Sequence, residues 1–171
     1  CAILECNKAA GLRIDDNQGG PSAQQWYDMI AAGLVADTAG ALEAGFNLTL
    51  DYLKQRTQFG RPLSQLQAVQ HKMAEIFCDV KQMSALAERV ALEMDTNPNT
   101  AWPTLPIAKA FAGRRALRGM GQLIQLSGGI GVTEEYKVTH LYRRLHVAAA
   151  LFGSAEYQLA RIAAHSVLHT A

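Results

Sequence analysis

The chain has 171 residues, of which 49% are hydrophobic and 18% are charged, and its formal net charge at pH 7 is +1. These values are typical of one globular domain with its own core, and they exclude a low-complexity or disordered chain. The balanced charge does not predict a nucleic-acid surface. The sequence has no run of 18 apolar residues, so it predicts no membrane span.

The cysteines give an expectation about location. Cys1, Cys6 and Cys78 form an odd and sparse set that does not fit a disulfide framework. We therefore expect reduced thiols and a cytoplasmic protein. Cys78 lies in an apolar helical stretch, so its side chain is expected in the core.

Residues 1–20 differ in pattern from the rest of the chain. Residues 2–6 and 11–15 are predicted as short β-strands, and the glycines and proline at 19–21 then break the chain. Two such strands are too few to be stable alone. We expect residues 1–20 to be the end of a preceding β domain with a linker, and residues 21–171 to be a C-terminal helical domain.

The first long helix is predicted from about Ala23 to Arg56. Ser22 and Gln25 have the spacing of a capping box, in which each residue bonds the backbone amide of the other. The apolar positions of this helix include Ile30, Leu34, Leu42, Phe46, Leu50 and Leu53.

The second helix carries the most regular apolar pattern. Residues 64–67 predict another capping box at its start. Apolar residues then recur in alternating steps of four and three, as in the seam of a bundle. They are Val69, Met73, Ile76, Val80, Met83, Ala87, Val90 and Met94, and they predict a packed core without chemistry.

Three further helices complete the predicted fold. The third runs from between Thr100 and Thr104 to Leu126, and the glycine-rich residues after it end it. A shorter helix is expected at about 136–147 and a last one at about 154–168. The predicted fold class is all-α, an up-and-down four-helix bundle with an additional short helix and a short N-terminal β remnant.

Two connections between helices carry residues suited to an anionic ligand. Arg56 and Arg61 flank a helix break, and arginine forks together with a helix N-terminus match phosphate oxygens. In residues 125–131, bare glycines allow a ligand to approach the backbone closely. From the residues alone, a capped turn and a helix C-cap are the simpler interpretations.

His165 and His169 share a helix face without the glutamate of a zinc-protease motif, so no metal site is predicted.

Together, these segments resemble the C-terminal domain of acyl-CoA dehydrogenases. The first motif is Arg-Thr-Gln-Phe-Gly-Arg-Pro-Leu at 56–63, followed by Gln67 and by Met-Ala-Glu at 73–75. The second is Gln-Leu-Ser-Gly-Gly-Ile-Gly-Val-Thr-Glu-Glu-Tyr at 125–136, before a short helix ending in Arg143-Arg144. The resemblance covers about residues 22–168, and the order and spacing of the motifs make it specific.

The resemblance implies a flavoprotein. In this family FAD lies between a β domain and the C-terminal domain, a neighbouring subunit holds part of the cofactor, and the bundles build dimers or tetramers. A glutamate takes the α proton of an acyl-CoA thioester, and FAD takes the β hydride. By position, the expected FAD contacts are Arg56, Gln58, Phe59, Gln125, Gly128 and Gly129.

The positions of the catalytic glutamate hold no carboxylate in this chain. The usual position matches Phe152, and the alternative position on the first long helix matches Ile30; neither side chain accepts a proton. Asp28 matches an acidic residue near the thioester carrier and is expected to contact substrate. Glu156 lies one helical turn after Phe152, where a solvated surface glutamate is the simpler interpretation.

The sequence therefore predicts a subunit of a homo- or hetero-oligomer that acts on fatty acyl or steroid thioesters. It would contribute FAD contacts and oligomer interfaces while lacking the catalytic glutamate, and this chain alone is expected to be inactive. One alternative is a relative with different flavin chemistry, of the nitroalkane oxidase or monooxygenase type. Another is a helical assembly module without enzymatic function.

Overall fold

The computed structural model describes residues 22–96 and 101–168, and helices dominate both ranges. In chain order the α-helices are α1 Ala23–Gln55, α2 Gln67–Thr96, α3 Thr104–Phe111, α4 Leu117–Ser127, α5 Lys137–Ala150 and α6 Ala155–Leu168. The predicted β remnant at 1–20 and His169 lie outside the described residues.

The start of α1 follows from its capping residues. The Ser22 hydroxyl accepts a hydrogen bond from the Gln25 amide at 3.2 Å, and the Ser22 amide donates to Gln25 Oε1 at 2.7 Å. The helix ends at Gln55, with Arg56 as its C-cap. The predicted capping box and helix bounds are therefore confirmed.

The start of α2 differs from the prediction. A 3₁₀ turn covers Leu63–Gln65, and the Leu66 carbonyl accepts the first helical bonds, from Val69 and Gln70. The Ser64 carbonyl accepts a hydrogen bond from Gln70 Nε2 at 2.9 Å. The capping box predicted at residues 64–67 is wrong, because the 3₁₀ turn moves the N-terminus of the helix beyond Ser64.

The helices form the predicted bundle. A short ribbon reverses the chain between α1 and α2, and α1 also packs against α4 and α5. A π-helical turn at Ala112–Ala116 joins α3 to α4, so the third predicted helix is one rod with an irregular turn inside it. The α6 helix packs mainly against α3. The prediction of a four-helix bundle with an additional short helix is confirmed.

The core follows the apolar stripe of α2. Met73, Ile76, Val80, Met83 and Val90 are buried, and the other predicted stripe residues pack partly buried against them. Cys78 is exposed, because it lies on the face of α2 turned away from this stripe. The expectation that its thiol is in the core was wrong.

Among the described residues, α1 is the helix whose length and apolar composition would suit a membrane span. Its most deeply buried side chains include Val35, Leu42 and Leu53, which form the centre of the bundle core. Of the most apolar 18-residue window of this helix, 39% is buried inside the bundle, so packing accounts for part of its apolar composition.

Candidate functional site

The connection between α1 and α2 is a two-stranded antiparallel ribbon. Strand β1, Thr57–Gln58, pairs with strand β2, Arg61–Pro62, in the register Thr57↔Pro62 and Gln58↔Arg61. Phe59 and Gly60 form the tip with φ angles of 54° and 76°. Glycine adopts such angles freely, whereas a phenylalanine does so only where the surrounding turn imposes them. The ribbon therefore fixes the direction of its tip.

The side chains of this ribbon are available to a partner. Phe59 is 87% exposed, and Arg56 and Gln58 are exposed as well. Within the described residues, Arg56 and Arg61 have no carboxylate within 4.0 Å, whereas six other arginines form ion pairs. The ribbon thus exposes an aromatic ring and two arginine side chains that form no ion pair with the described part of the bundle.

The second motif follows the end of α4. Gly128 has a φ of 65°, and its amide donates to the Gln125 carbonyl, so the predicted helix end is confirmed. The side chain of Gln125 is exposed. A 3₁₀ turn then covers Gly128–Val132.

The glycines of this loop have different roles. A Cβ atom added at Gly128 or Gly129 would meet nothing within 4 Å. One added at Gly131 would collide with the carbonyl oxygen of Ile124. Gly131 is therefore needed for packing within the chain, whereas Gly128 and Gly129 leave open space for a ligand.

The ribbon and the glycine loop lie at the same end of the bundle. Gly119 of α4 faces Leu42 of α1, and Leu123 faces Gly45 further along, so the two helices run in the same direction. Beyond the loop, the Tyr136 hydroxyl donates to the Leu48 carbonyl at 3.3 Å. The structure therefore places the C-terminal ends of α1 and α4 at one end of the bundle.

Phe152 occupies the turn between α5 and α6. Its ring lies 5.5 Å from the ring of Tyr27, centroid to centroid, in an edge-on arrangement. Phe152 and Gly153 have φ angles of 52° and 85°. A Cβ atom on Gly153 would lie 2.7 Å from the Tyr27 hydroxyl and 2.7 Å from Gln158 Nε2. The turn is thus closely packed, and its side chain at 152 has no proton acceptor.

The remaining candidates for a base also fail. Ile30 lies one turn beyond Tyr27 on α1 and is 43% exposed. The Glu156 side chain is 71% exposed and pairs with Arg114 at 3.4 Å. A hydrogen bond from its own backbone amide, together with bonds from Ser154 and Arg114, lowers the pKa of Glu156. A general base at neutral pH needs the opposite shift, so Glu156 is a solvated surface carboxylate.

Asp28 lines a pocket of about 400 Å³ at the start of α1. Gln24 Nε2 donates to Asp28 Oδ1 at 2.9 Å, and the Arg161 guanidinium lies 3.8 Å from the same oxygen. Arg161 also stacks over the rings of Tyr27, at 5.6 Å, and Trp102, at 5.3 Å. Sequence reasoning did not identify Arg161 or Trp102 as pocket residues, because α6 and the turn before α3, which carry them, are distant from Asp28 in the chain.

Two buried residues beside the Phe152 turn were also missed. Lys109 Nζ donates to the Gly153 carbonyl at 3.2 Å, and Gln158 Nε2 donates to the Phe152 carbonyl at 2.9 Å. Burial lowers the pKa of Lys109. The one sequence signal for Lys109 is its position between alanines in an apolar helix, which does not identify its acceptors.

Comparisons with known proteins agree with this architecture. Residues 17–167 match the family model described as acyl-CoA dehydrogenase, C-terminal domain. Acyl-CoA dehydrogenase IpdE2 of Mycolicibacterium smegmatis is 31% identical over 155 residues, which cover 91% of this chain and 46% of that protein.

Two solved structures have the same fold. A variant of the Tcur3481-Tcur3483 steroid ACAD aligns with a TM-score of 0.82 and 28% identity, covering 88% of this chain and 42% of that chain. Glutaryl-CoA dehydrogenase from Mycobacterium smegmatis in complex with FADH2 aligns with a TM-score of 0.75 and 25% identity, covering 80% of this chain and 35% of that chain.

The chain spans less than half the length of each of these relatives. Within that length, the four-helix bundle, the ribbon after α1 and the glycine loop after α4 are all present. The chain therefore belongs to the acyl-CoA dehydrogenase family and corresponds to its C-terminal helical domain.

Proposed function

We propose that this chain is the C-terminal domain of an FAD-dependent acyl-CoA dehydrogenase-type subunit, and that it contributes contacts to FAD bound by a neighbouring subunit. The observation that carries the proposal is the ribbon, in which Phe59 is exposed and Arg56 and Arg61 form no ion pair with any residue of 22–96 or 101–168. The full set of proposed FAD contacts is Arg56, Gln58, Phe59, Gln125, Gly128 and Gly129.

These residues fit the chemistry of FAD. Guanidinium groups form paired hydrogen bonds with phosphate oxygens, so Arg56 suits the pyrophosphate. The exposed ring of Phe59 offers an apolar surface to a flat ring system. Gly128 and Gly129 leave open space in which a cofactor can approach the backbone.

The same chain has no carboxylate at either position expected for the catalytic base. Bound FAD would accept a hydride from the β carbon of an acyl-CoA, but the α proton requires a base. Phe152 and Ile30 fill the two positions for that base with apolar side chains. Asp28, beside the pocket at the start of α1, remains available to contact the substrate. We propose that a partner subunit supplies the base in a hetero-oligomer.

FAD affinity of the full-length protein tests the proposal. Arg56→Met removes a charged hydrogen bond worth about 1.5–3 kcal/mol, so the Kd for FAD should rise roughly 10- to 150-fold. Arg118→Met is the matched control, because Arg118 is exposed and lies on α4, away from the ribbon. Flavin absorbance retained after gel filtration and a titration of the apoprotein give both values.

The two outcomes separate the leading alternatives. Weaker binding in Arg56→Met and in Phe59→Ala, with normal binding in Arg118→Met, supports a cofactor-binding subunit. If the wild type holds no flavin, or if both ribbon variants bind it normally, the ribbon has no part in a flavin site. A helical assembly module would then be the better interpretation.

A further inference from the structure

Lys109 and Gln158 are each 1% exposed, and both rank among the largest fully buried side chains of the described residues. Burying an ammonium group is strongly unfavourable unless all of its donors are satisfied. In residues 22–96 and 101–168, no carboxylate lies within ion-pair distance of Lys109. Its hydrogen bonds must therefore account for its burial.

Lys109 Nζ donates to three backbone carbonyls, which matches the three N–H bonds of an ammonium group. The acceptors are Ala148 at 2.8 Å, Ala149 at 3.4 Å and Gly153 at 3.2 Å. The first two lie in the last turn of α5, where carbonyls lack helical partners and the helix dipole favours a cation. The third lies in the following turn. Through these hydrogen bonds, Lys109 links the turn to the C-terminal end of α5.

Gln158 holds the same turn from the side of α6. Its Nε2 donates to the Phe152 carbonyl at 2.9 Å and to the Tyr27 hydroxyl at 3.3 Å. Its Oε1 accepts a hydrogen bond from Arg161 at 3.1 Å. Buried side chains thus hold the carbonyls of both Phe152 and Gly153. A phenylalanine with a φ of 52° persists only where its surroundings impose that conformation.

We infer that Lys109 and Gln158 are positioning residues that hold the backbone at 152 and 153, and so direct the side chain at position 152 against Tyr27. The hydrogen-bond acceptors within the turn are the backbone carbonyls of Phe152 and Gly153, so these hydrogen bonds do not depend on the phenyl ring at position 152. The importance of position 152 for catalysis rests on the proposed function. Under that function, Lys109 and Gln158 hold the backbone at the position of the base, although the side chain there is a phenylalanine.

Fluorine NMR of the full-length protein, with 4-fluorophenylalanine incorporated at position 152, tests the inference. The Tyr27 ring should shift the resonance, and Tyr27→Leu gives the reference without that shift. Lys109→Met and Gln158→Met are each expected to broaden the resonance or move it to the reference position. Thr139→Val is the control, because it removes a buried 2.7 Å bond to Gly131 at the other end of α5.

An unchanged resonance in folded Lys109→Met and Gln158→Met proteins would overturn the inference, as would an equal displacement in Thr139→Val. If Lys109→Met does not fold, Gln158→Met decides alone, and an unchanged signal there overturns the inference. The measurement involves neither FAD nor turnover. A protein that binds no FAD but shows the expected shifts would refute the proposed function and leave this inference standing.

Discussion

Under the proposed function, the side chain at position 152 decides whether this chain carries its own base. Phe152 packs edge-on against Tyr27 in a turn held by buried hydrogen bonds. Phe152→Glu in the full-length protein should raise the rate of flavin reduction by an acyl-CoA roughly 100-fold, because a positioned general base contributes roughly 10²- to 10⁴-fold. Anaerobic stopped-flow absorbance measures this rate.

Phe152→Gln is the matched control for that gain. It has nearly the same shape as the glutamate variant but accepts no proton at neutral pH. Its rate should stay at the wild-type level. Equal rates for the glutamate and glutamine variants would show that position 152 does not present a base to the substrate.

Lys109 gives a prediction about pH. Burial lowers the pKa of Lys109 below the ordinary value of 10.5. Between its folded-state pKa and 10.5, the unfolded chain binds more protons at this site, so Lys109 makes the free energy of unfolding rise with pH. Raising the pH towards 10.5 should therefore stabilise the wild type relative to Lys109→Met. Urea unfolding at a series of pH values measures the difference, and a difference independent of pH would contradict this account.

Sequence reasoning succeeded for residues whose partners are local. The Ser22 capping box follows from residues three positions apart, and the structure contains both of its bonds. Lys109 and Gln158 could not be found in this way, since tertiary packing brings Lys109 to its acceptors on α5 and Gln158 to Tyr27 on α1. Nothing in the sequence near either residue identifies those partners.

The loop after α4 combines a packing requirement with a proposed binding role, and two substitutions separate them. Gly131→Ala places a Cβ atom against the Ile124 carbonyl oxygen, so it should lower the free energy of unfolding by about 1–3 kcal/mol. Gly129→Ala meets no neighbouring atom, so it should leave stability unchanged while weakening FAD binding. Thermal unfolding and FAD titration of both variants measure the two effects.

Two results for Gly129→Ala would contradict these expectations. A large loss of stability in Gly129→Ala would mean that this glycine has a structural role. Normal FAD affinity in a folded Gly129→Ala protein would remove Gly129 from the proposed cofactor contacts.

The helices were predictable because apolar periodicity and capping residues act within one element. The periodic stripe of α2 correctly identified its buried face, whereas the apolar surroundings of Cys78 in the sequence wrongly predicted a buried thiol. The π-helical turn at Ala112–Ala116 has no comparable local signal. It sets Arg114 beside Glu156 and Arg115 beside the buried carboxylate of Asp79, and these pairings depend on tertiary packing.

For the whole molecule, the all-α bundle was predictable from the residues, whereas FAD entered through the resemblance carried by the two motifs. If the exposed ribbon serves a neighbouring subunit, FAD retention should depend on assembly. Dilution that dissociates the oligomer should release FAD, because each site loses the ribbon of its neighbour. Gel filtration with simultaneous protein and flavin absorbance tests this, and a monomer that keeps one FAD per chain would contradict it.

One measurement tests both whether the protein holds FAD and whether it lacks its own base. The full-length protein, purified without a partner, is mixed anaerobically with an acyl-CoA while its visible spectrum is recorded. We predict a flavin absorption band that does not bleach. A colourless protein would contradict the proposed cofactor, and rapid bleaching would show that the protein supplies a base despite Phe152 and Ile30.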